Sequence, residues 1–193
     1  MSTATIPTRP AAVVGGLGGL GLALWLRLRI AGPGGPHSAW AGVVFGVALL
    51  ALAIACGLRR PVLNGRQLRY GAGGAAVLCL APLLHHLVDP GATAPLGLLP
   101  MWAAVVTLVA VAEELLLRGA VYEALTGCWQ QPTAIVVTAV AFAVLHIPLY
   151  GWSVVPLDLA VGVLLGVVRS VAGSVTAPAL THVLADLAGW WLR

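Results

Sequence analysis

The sequence predicts an all-α fold, a polytopic transmembrane helical bundle of about seven spans, within a range of roughly six to eight. The first observation is composition, since 60% of the 193 residues are hydrophobic and only 8% are charged. A soluble domain of this size does not need so much apolar surface. The second is that the apolar residues form stretches long enough to cross a bilayer, and the third is that Pro, Gly and Arg separate these stretches.

The apolar segments follow one another with little room between them. The first reads as an uncleaved helix, because two arginines follow it with no small-residue cleavage site before them. Later boundaries fall in a Gly- and Pro-rich stretch at 32–36, an Arg-rich stretch at 59–69 and a turn at 89–91. No soluble domain fits, so residues 1–193 are predicted to form a single integral-membrane domain. The predicted spans lie near 11–30, 38–58, 70–88, 98–126, 132–149, 152–169 and 174–192.

Glycine pairs spaced four residues apart recur in three of these spans. Such a pair lets another helix approach closely. We therefore expect helix–helix contacts at the pairs Gly15/Gly19, Gly42/Gly46 and Gly162/Gly166.

The net charge of +4 comes from arginines alone, most of them near helix ends. This pattern favours topology and lipid-headgroup contact, so the lipid bilayer is an expected partner and nucleic acid is not. Arg59, Arg60, Arg66 and Arg69 mark the segment between spans two and three as cytoplasmic, and alternation then places the N-terminus in the cytoplasm. The lack of lysine, with abundant Ala, Gly and Pro, indicates a bacterial protein of the cytoplasmic (inner) membrane.

Two adjacent acids, Glu113 and Glu114, lie inside the fourth predicted span. An acid at the centre of such a helix costs roughly 2.5–3.5 kcal/mol even on lenient insertion scales. Arg118 follows Glu114 by one helical turn, about 6 Å along the axis, so the two can pair. A structural ion pair is one interpretation, but it leaves Glu113 unexplained. The other interpretation is that these acids carry chemistry.

His146 lies at the same predicted depth as Glu113. Spans four and five are joined by a short turn at 127–132, with its apex near 129–130. Glu113 lies about 16 residues before the apex and His146 about 16 after it, so each is roughly 24 Å from the turn. A lone histidine near a helix end is more often a packing residue. However, an acid and a histidine at equal depth on adjacent antiparallel helices can meet.

His182 and Asp186 form a second acid–imidazole pair, on the last span. Their i, i+4 spacing puts both side chains on one helix face. A local hydrogen bond without chemistry is one interpretation. The more economical arrangement has both pairs facing one bundle interior. Asp158 could line the same cavity or pair with a buried polar group, and Glu123 is expected to be solvated.

Three short patterns carry a resemblance to a known family. They are Glu113-Glu114-x-x-x-Arg118, Phe142-x-x-x-His146 and His182-x-x-x-Asp186. Together they resemble the three motifs of the CPBP family, which comprises the CAAX prenyl endopeptidases and related bacterial intramembrane proteases, including bacteriocin-associated members. The resemblance covers roughly residues 100–190, and the predicted protease-like core is residues 98–192.

The resemblance implies hydrolysis of a peptide bond in the membrane by an activated water. Glu113 would act as the general base, His146 would position the water and His182 would stabilise the tetrahedral intermediate. Glu114 and Arg118 would support them by holding their helix in place.

Asp186 stands where the family's last motif often ends in Asn. An amide can donate a hydrogen bond to an oxyanion, whereas an ionised carboxylate would repel one. Asp186 would therefore orient His182 and fix its tautomer, be held protonated, or serve in a different way.

No cofactor is favoured, and zinc is the alternative. Glu113, His146 and His182 could in principle form a three-ligand zinc site, but the chain has no H-E-x-x-H helix. The expected partner is a membrane-associated peptide or a protein C-terminal tail, because a bacterium would not normally supply prenylated CAAX proteins.

The alternative function is a non-enzymatic membrane protein that uses the same buried charges. It would be an immunity or interaction protein, or a proton-coupled carrier. A carrier would be expected to show two related halves around broken helices. No such repeat is evident, and the polar groups cluster in the second half of the chain.

Overall fold

The structure is a computed structural model that describes residues 8–32, 35, 38–89 and 96–192. These residues form helices and short connections, and no strand occurs among them. Short 3-10 turns precede two of the helices. The helices are α1 (Arg9–Ala31), α2 (Ala39–Ala55), α3 (Gly65–Val88), α4 (Leu99–Glu114), a π-helical segment (Leu115–Val121), α5 (Tyr122–Thr126), α6 (Gln131–Tyr150), α7 (Val155–Ala172) and α8 (Thr176–Ala188).

Each of the seven predicted spans contains a helix, and α4, the π-helical segment and α5 form one continuous rod of 28 residues. Five helical stretches in the described residues are long and apolar enough to cross a membrane, and the apolar α2 is shorter, at 17 residues. The all-α class of a multi-pass membrane protein is therefore confirmed. The count of about seven spans is not confirmed, because α2 and the 13-residue α8 fall below spanning length.

Helix α3 begins five residues before its predicted start near 70. The Oδ1 of Asn64 accepts hydrogen bonds from the backbone N–H groups of Arg66 and Gln67, so the asparagine caps the first turn. Hydropathy alone placed the boundary at the first apolar run, after the arginines of this turn.

The main apolar core lies where α1, α2, α6 and the rod of α4 and the π-helical segment meet. Leu49 of α2, Leu116 and Leu117 of the π-helical segment and Phe142 of α6 are among its buried side chains. On the other side of α4, helix α8 packs against both α3 and α4. The rod is therefore surrounded by other helices, and its middle is the most enclosed part of the molecule.

Two of the three predicted glycine contacts are present. Gly42 and Gly46 of α2 face α4, and Gly162 and Gly166 of α7 face α6 so closely that a Cβ added at Gly162 would lie 2.8 Å from the Cα of Ala139. The prediction for α1 is half wrong. Gly19 meets Leu52 of α2, but a Cβ at Gly15 would meet nothing within 4 Å, and the neighbouring Gly16 makes the interior contact instead.

Several arginines gather at one end of the bundle. The Nη1 of Arg9 donates to the carbonyl oxygen of Gly127 at 2.7 Å. Glu123 accepts from Arg169 at 3.0 Å and pairs with Arg59 at 2.9 Å. The expectation that Glu123 would be solvated is wrong, because its side chain is only 24% exposed and ties α5 to α7.

Candidate active site

Glu113 and Glu114 end α4 and are both buried, at 3% and 0% exposure. The helix changes from α to π geometry directly after them. A π-helical turn contains an extra residue, and such turns occur frequently at functional sites. The sequence predicted a regular α-helix here. The π-helical segment lies between the two acids and the turn at 127–132, in the enclosed middle of the rod.

Glu114 and Arg118 form the predicted ion pair. The Nη1 of Arg118 donates to Oε1 of Glu114 at 2.8 Å, and both side chains are fully buried. The Nη2 of Arg118 donates to the carbonyl oxygen of Gly162 at 3.0 Å, and its guanidinium lies 5.0 Å from the ring centre of Phe142. One buried cation thus connects the rod with α6 and α7.

The same oxygen of Glu114 also contacts His182, which the sequence did not predict. The Nδ1 of His182 lies 3.2 Å from Oε1 of Glu114, across 68 residues of sequence. The Oε1 already accepts from Arg118 and an ionised carboxylate only accepts, so Nδ1 of His182 is the donor. No local spacing signals this contact, because it depends on how α8 packs against α4.

Asp186 lies on the other side of the His182 ring, on the same face of α8 as predicted. Its Oδ2 is 3.6 Å from Nε2 of His182, which is an ion-pair distance rather than a hydrogen bond. The Asp186 side chain is 35% exposed, whereas that of His182 is 8% exposed. The His182 ring is therefore oriented mainly by Glu114 at Nδ1, with Asp186 beside Nε2.

His146 is held by the chain around it. Its Nδ1 lies 2.9 Å from the carbonyl oxygen of Phe142, one turn earlier in α6. A carbonyl oxygen only accepts, so Nδ1 carries the proton and a neutral ring keeps its lone pair on Nε2. The ring lies between those of Phe142, at 4.6 Å, and Tyr150, at 5.8 Å.

Phe142 also joins the two histidines. Its ring contacts that of His182 edge to face, with ring centres 5.5 Å apart, in addition to its contact with His146. Phe142 thus lies in contact with both imidazoles, that of His146 on its own helix and that of His182 on α8. It packs in the main core and is 2% exposed.

The carboxylate of Glu113 shares its surroundings with both imidazoles. Its electrostatic neighbours are His146, His182, Asp186 and Glu114. Within the described part of the chain, Glu113 makes no hydrogen bond to protein, unlike Glu114. The structure therefore brings the acid and the two imidazoles of three distant helices to one place, and leaves the Glu113 carboxylate available to another group.

The zinc alternative stays a prediction. Among the residues at 8–32, 35, 38–89 and 96–192, no three His, Cys, Asp or Glu side chains are grouped so that they could hold a metal ion. Nδ1 of His182 contacts Glu114 and Nδ1 of His146 contacts a carbonyl oxygen, so a metal ion could bind these rings only through Nε2.

Residues 95–188 match a protein-family model described as type II CAAX prenyl endopeptidase Rce1-like. The matched segment contains the two buried acids, both site histidines and Asp186. No curated protein and no solved structure matches the chain. The apolar helices show a multi-pass membrane protein, and the match over residues 95–188 supports the CPBP family, a family of membrane proteases.

Proposed function

We propose that the protein is an intramembrane endopeptidase that hydrolyses a peptide bond in a membrane-associated peptide or protein C-terminal tail. The observation that carries the proposal is the position of Glu113, a buried carboxylate that makes no hydrogen bond to protein in the described residues and has His146 and His182 as electrostatic neighbours. A buried acid of this kind is costly to keep in a membrane, and a function explains why the chain keeps it.

Water activation is assigned to Glu113 and His146. In this proposal, Nε2 of His146 accepts a hydrogen bond from the water, because Nδ1 is the protonated nitrogen. Glu113 removes the other proton as the water oxygen attacks the carbonyl carbon of the substrate. Both water hydrogens are then directed at acceptors, so an oxygen lone pair faces the peptide.

Stabilisation of the intermediate is assigned to His182. When the attack moves the carbonyl electrons onto oxygen, Nε2–H of His182 donates a hydrogen bond to the oxyanion. Nδ1–H of the same ring keeps its hydrogen bond to Glu114. A ring that donates from both nitrogens is positively charged, and Asp186 beside Nε2 offsets that charge before the substrate binds. When the intermediate collapses, Glu113 returns its proton to the leaving nitrogen and the C–N bond breaks.

Location and orientation belong to the same proposal. The protein would lie in a bacterial cytoplasmic membrane with its N-terminus in the cytoplasm. The gathering of Arg9, Arg59 and Arg169 at one end of the bundle supports this orientation, because positively charged residues favour the cytoplasmic side. The reaction as proposed uses no metal, since the side chains alone supply a base, a water acceptor and an oxyanion donor.

The function is tested by comparing C-terminal fragments of membrane and secreted proteins between a wild-type strain and a Glu113→Ala strain. We expect a set of truncated C-termini in the wild type that is absent in the variant, with equal amounts of the protein in both membranes. Identical fragment sets in the two strains would contradict the proposal.

A further inference from the structure

The proposed reaction leaves one intramembrane acid of the site region without a role. Asp158 lies in the first turn of α7, and its Oδ2 is buried without a hydrogen-bond partner in the described residues. An unpaired buried carboxylate oxygen is expensive, because burial removes its hydration and nothing replaces it. Its neighbourhood therefore indicates what it does.

The packing of α7 on α6 places Asp158 within one helical turn of the level of His146. Gly166 faces Ile135, and Gly162 faces Ala139, so the two helices run antiparallel in a fixed register. Asp158 lies one turn before Gly162 in α7. Because the helices are antiparallel, this position corresponds to one turn after Ala139 in α6, at Ala143, three residues before His146. The close approach at the two glycines sets this register and brings the acid to the histidine.

The nearest ionisable partner of this acid is the imidazole. Oδ2 of Asp158 lies 3.8 Å from Nδ1 of His146, and each side chain is 16% exposed. Nδ1 already donates to the carbonyl oxygen of Phe142, and the carboxylate lies beside the same N–H at an ion-pair distance rather than a hydrogen-bond distance. The carbonyl oxygen, by its hydrogen bond, and the carboxylate, by its negative charge, both favour the tautomer that has its proton on Nδ1.

We propose that Asp158 is a positioning residue that holds the imidazole of His146 with its proton on Nδ1 and its Nε2 lone pair towards the attacking water. The role rests on the proposed hydrolysis. The site then contains two carboxylate–imidazole pairs, Asp158 with His146 at 3.8 Å and Glu114 with His182 at 3.2 Å. In each, an acid fixes which ring nitrogen faces the reaction.

The test is Asp158→Asn, which keeps the size of the side chain. The neutral amide removes the negative charge beside Nδ1–H. An amide N–H turned towards Nδ1 would compete with the Phe142 carbonyl oxygen and favour the proton on Nε2, which removes the acceptor that the water needs. We expect kcat to fall about 10- to 100-fold, as for other residues that orient a catalytic group, with KM within about twofold of wild type. Asp158→Glu keeps the carboxylate and should recover part of the lost kcat.

Asp89→Asn provides the matched control, because Asp89 is an exposed acid at the end of α3, away from the site. It should leave kcat and KM unchanged. Thermal melting of all variants in detergent separates lost positioning from lost folding.

A second measurement does not depend on activity. In protein labelled with ¹⁵N-histidine, the signal of His146 is identified by its loss in His146→Gln, and its shifts show which ring nitrogen carries the proton. We expect Nδ1–H in the wild type and a change towards Nε2–H in Asp158→Asn. An unchanged tautomer overturns the inference whatever happens to kcat. If the wild-type protein cleaves no peptide, the proposed function fails, and the tautomer still decides the role of Asp158.

Discussion

Glu114 connects its own helix with α8 through a single carboxylate oxygen. One of its oxygens accepts from Arg118 on its own rod and from His182 on α8, at 0% exposure. Removal of one partner from a buried ion pair is destabilising, because the other charge then stays buried without compensation. The pair is therefore a structural requirement as well as a way to orient His182.

Arg118→Met should destabilise the protein strongly, because it leaves the Glu114 carboxylate buried beside only His182. We expect a loss of about 3–5 kcal/mol in the free energy of unfolding, measured by melting or by denaturation in detergent. The double variant with Glu114→Gln removes both charges and should lose less than Arg118→Met alone. Equal stability of Arg118→Met and wild type would show that the pair does not hold the helices.

The local part of this network was predictable, and the rest was not. The pairing of Glu114 with Arg118 follows from i, i+4 spacing, and the placement of Glu113 near His146 was inferred from equal distances to one turn. The contacts of His182 with Glu114 and of Asp158 with His146 join different helices. They depend on packing, which hydropathy and spacing do not encode.

At the scale of helices, glycine determines where the site can form. Because Gly162 of α7 has no Cβ, Ala139 of α6 can pack directly against it. The carbonyl oxygen of Gly162 also accepts a hydrogen bond from Arg118 of the rod. The π-helical segment in the facing rod was not predicted. Its stability depends on the contacts that its buried side chains make in the core, which are known only once the helices are packed.

Gly162→Ala should disturb both stability and activity, because the added Cβ would lie 2.8 Å from a backbone atom of α6. Overpacking of this kind costs about 1–3 kcal/mol. It should also move Asp158 away from His146 and lower kcat. Gly15→Ala is the matched control, since its Cβ would meet nothing within 4 Å, and its melting and cleavage should equal those of the wild type. The same melting temperature for both alanine variants would refute the close contact.

At the scale of the whole molecule, the bundle brings residues from α4, α6 and α8 into one enclosed region. The sequence predicted the helical segments well, because long apolar runs in lipid have few alternatives to helices. It did not predict which helices would be short of spanning length. Helix α2 ends at Ala55 and α8 at Ala188, each with a glycine within the next two residues. The match over residues 95–188 supports the protease family.

The most direct measurement is the cleavage rate of purified protein in liposomes containing a chelator, on a peptide that spans a cleavage site found by the fragment comparison. We predict that wild type keeps its full rate in chelator and that Glu113→Gln loses about 10²- to 10⁴-fold in kcat, the usual contribution of a general base. The variant should melt at the wild-type temperature. Undiminished turnover by Glu113→Gln, or activity lost in chelator and restored by zinc, would contradict a reaction driven by this carboxylate and water alone.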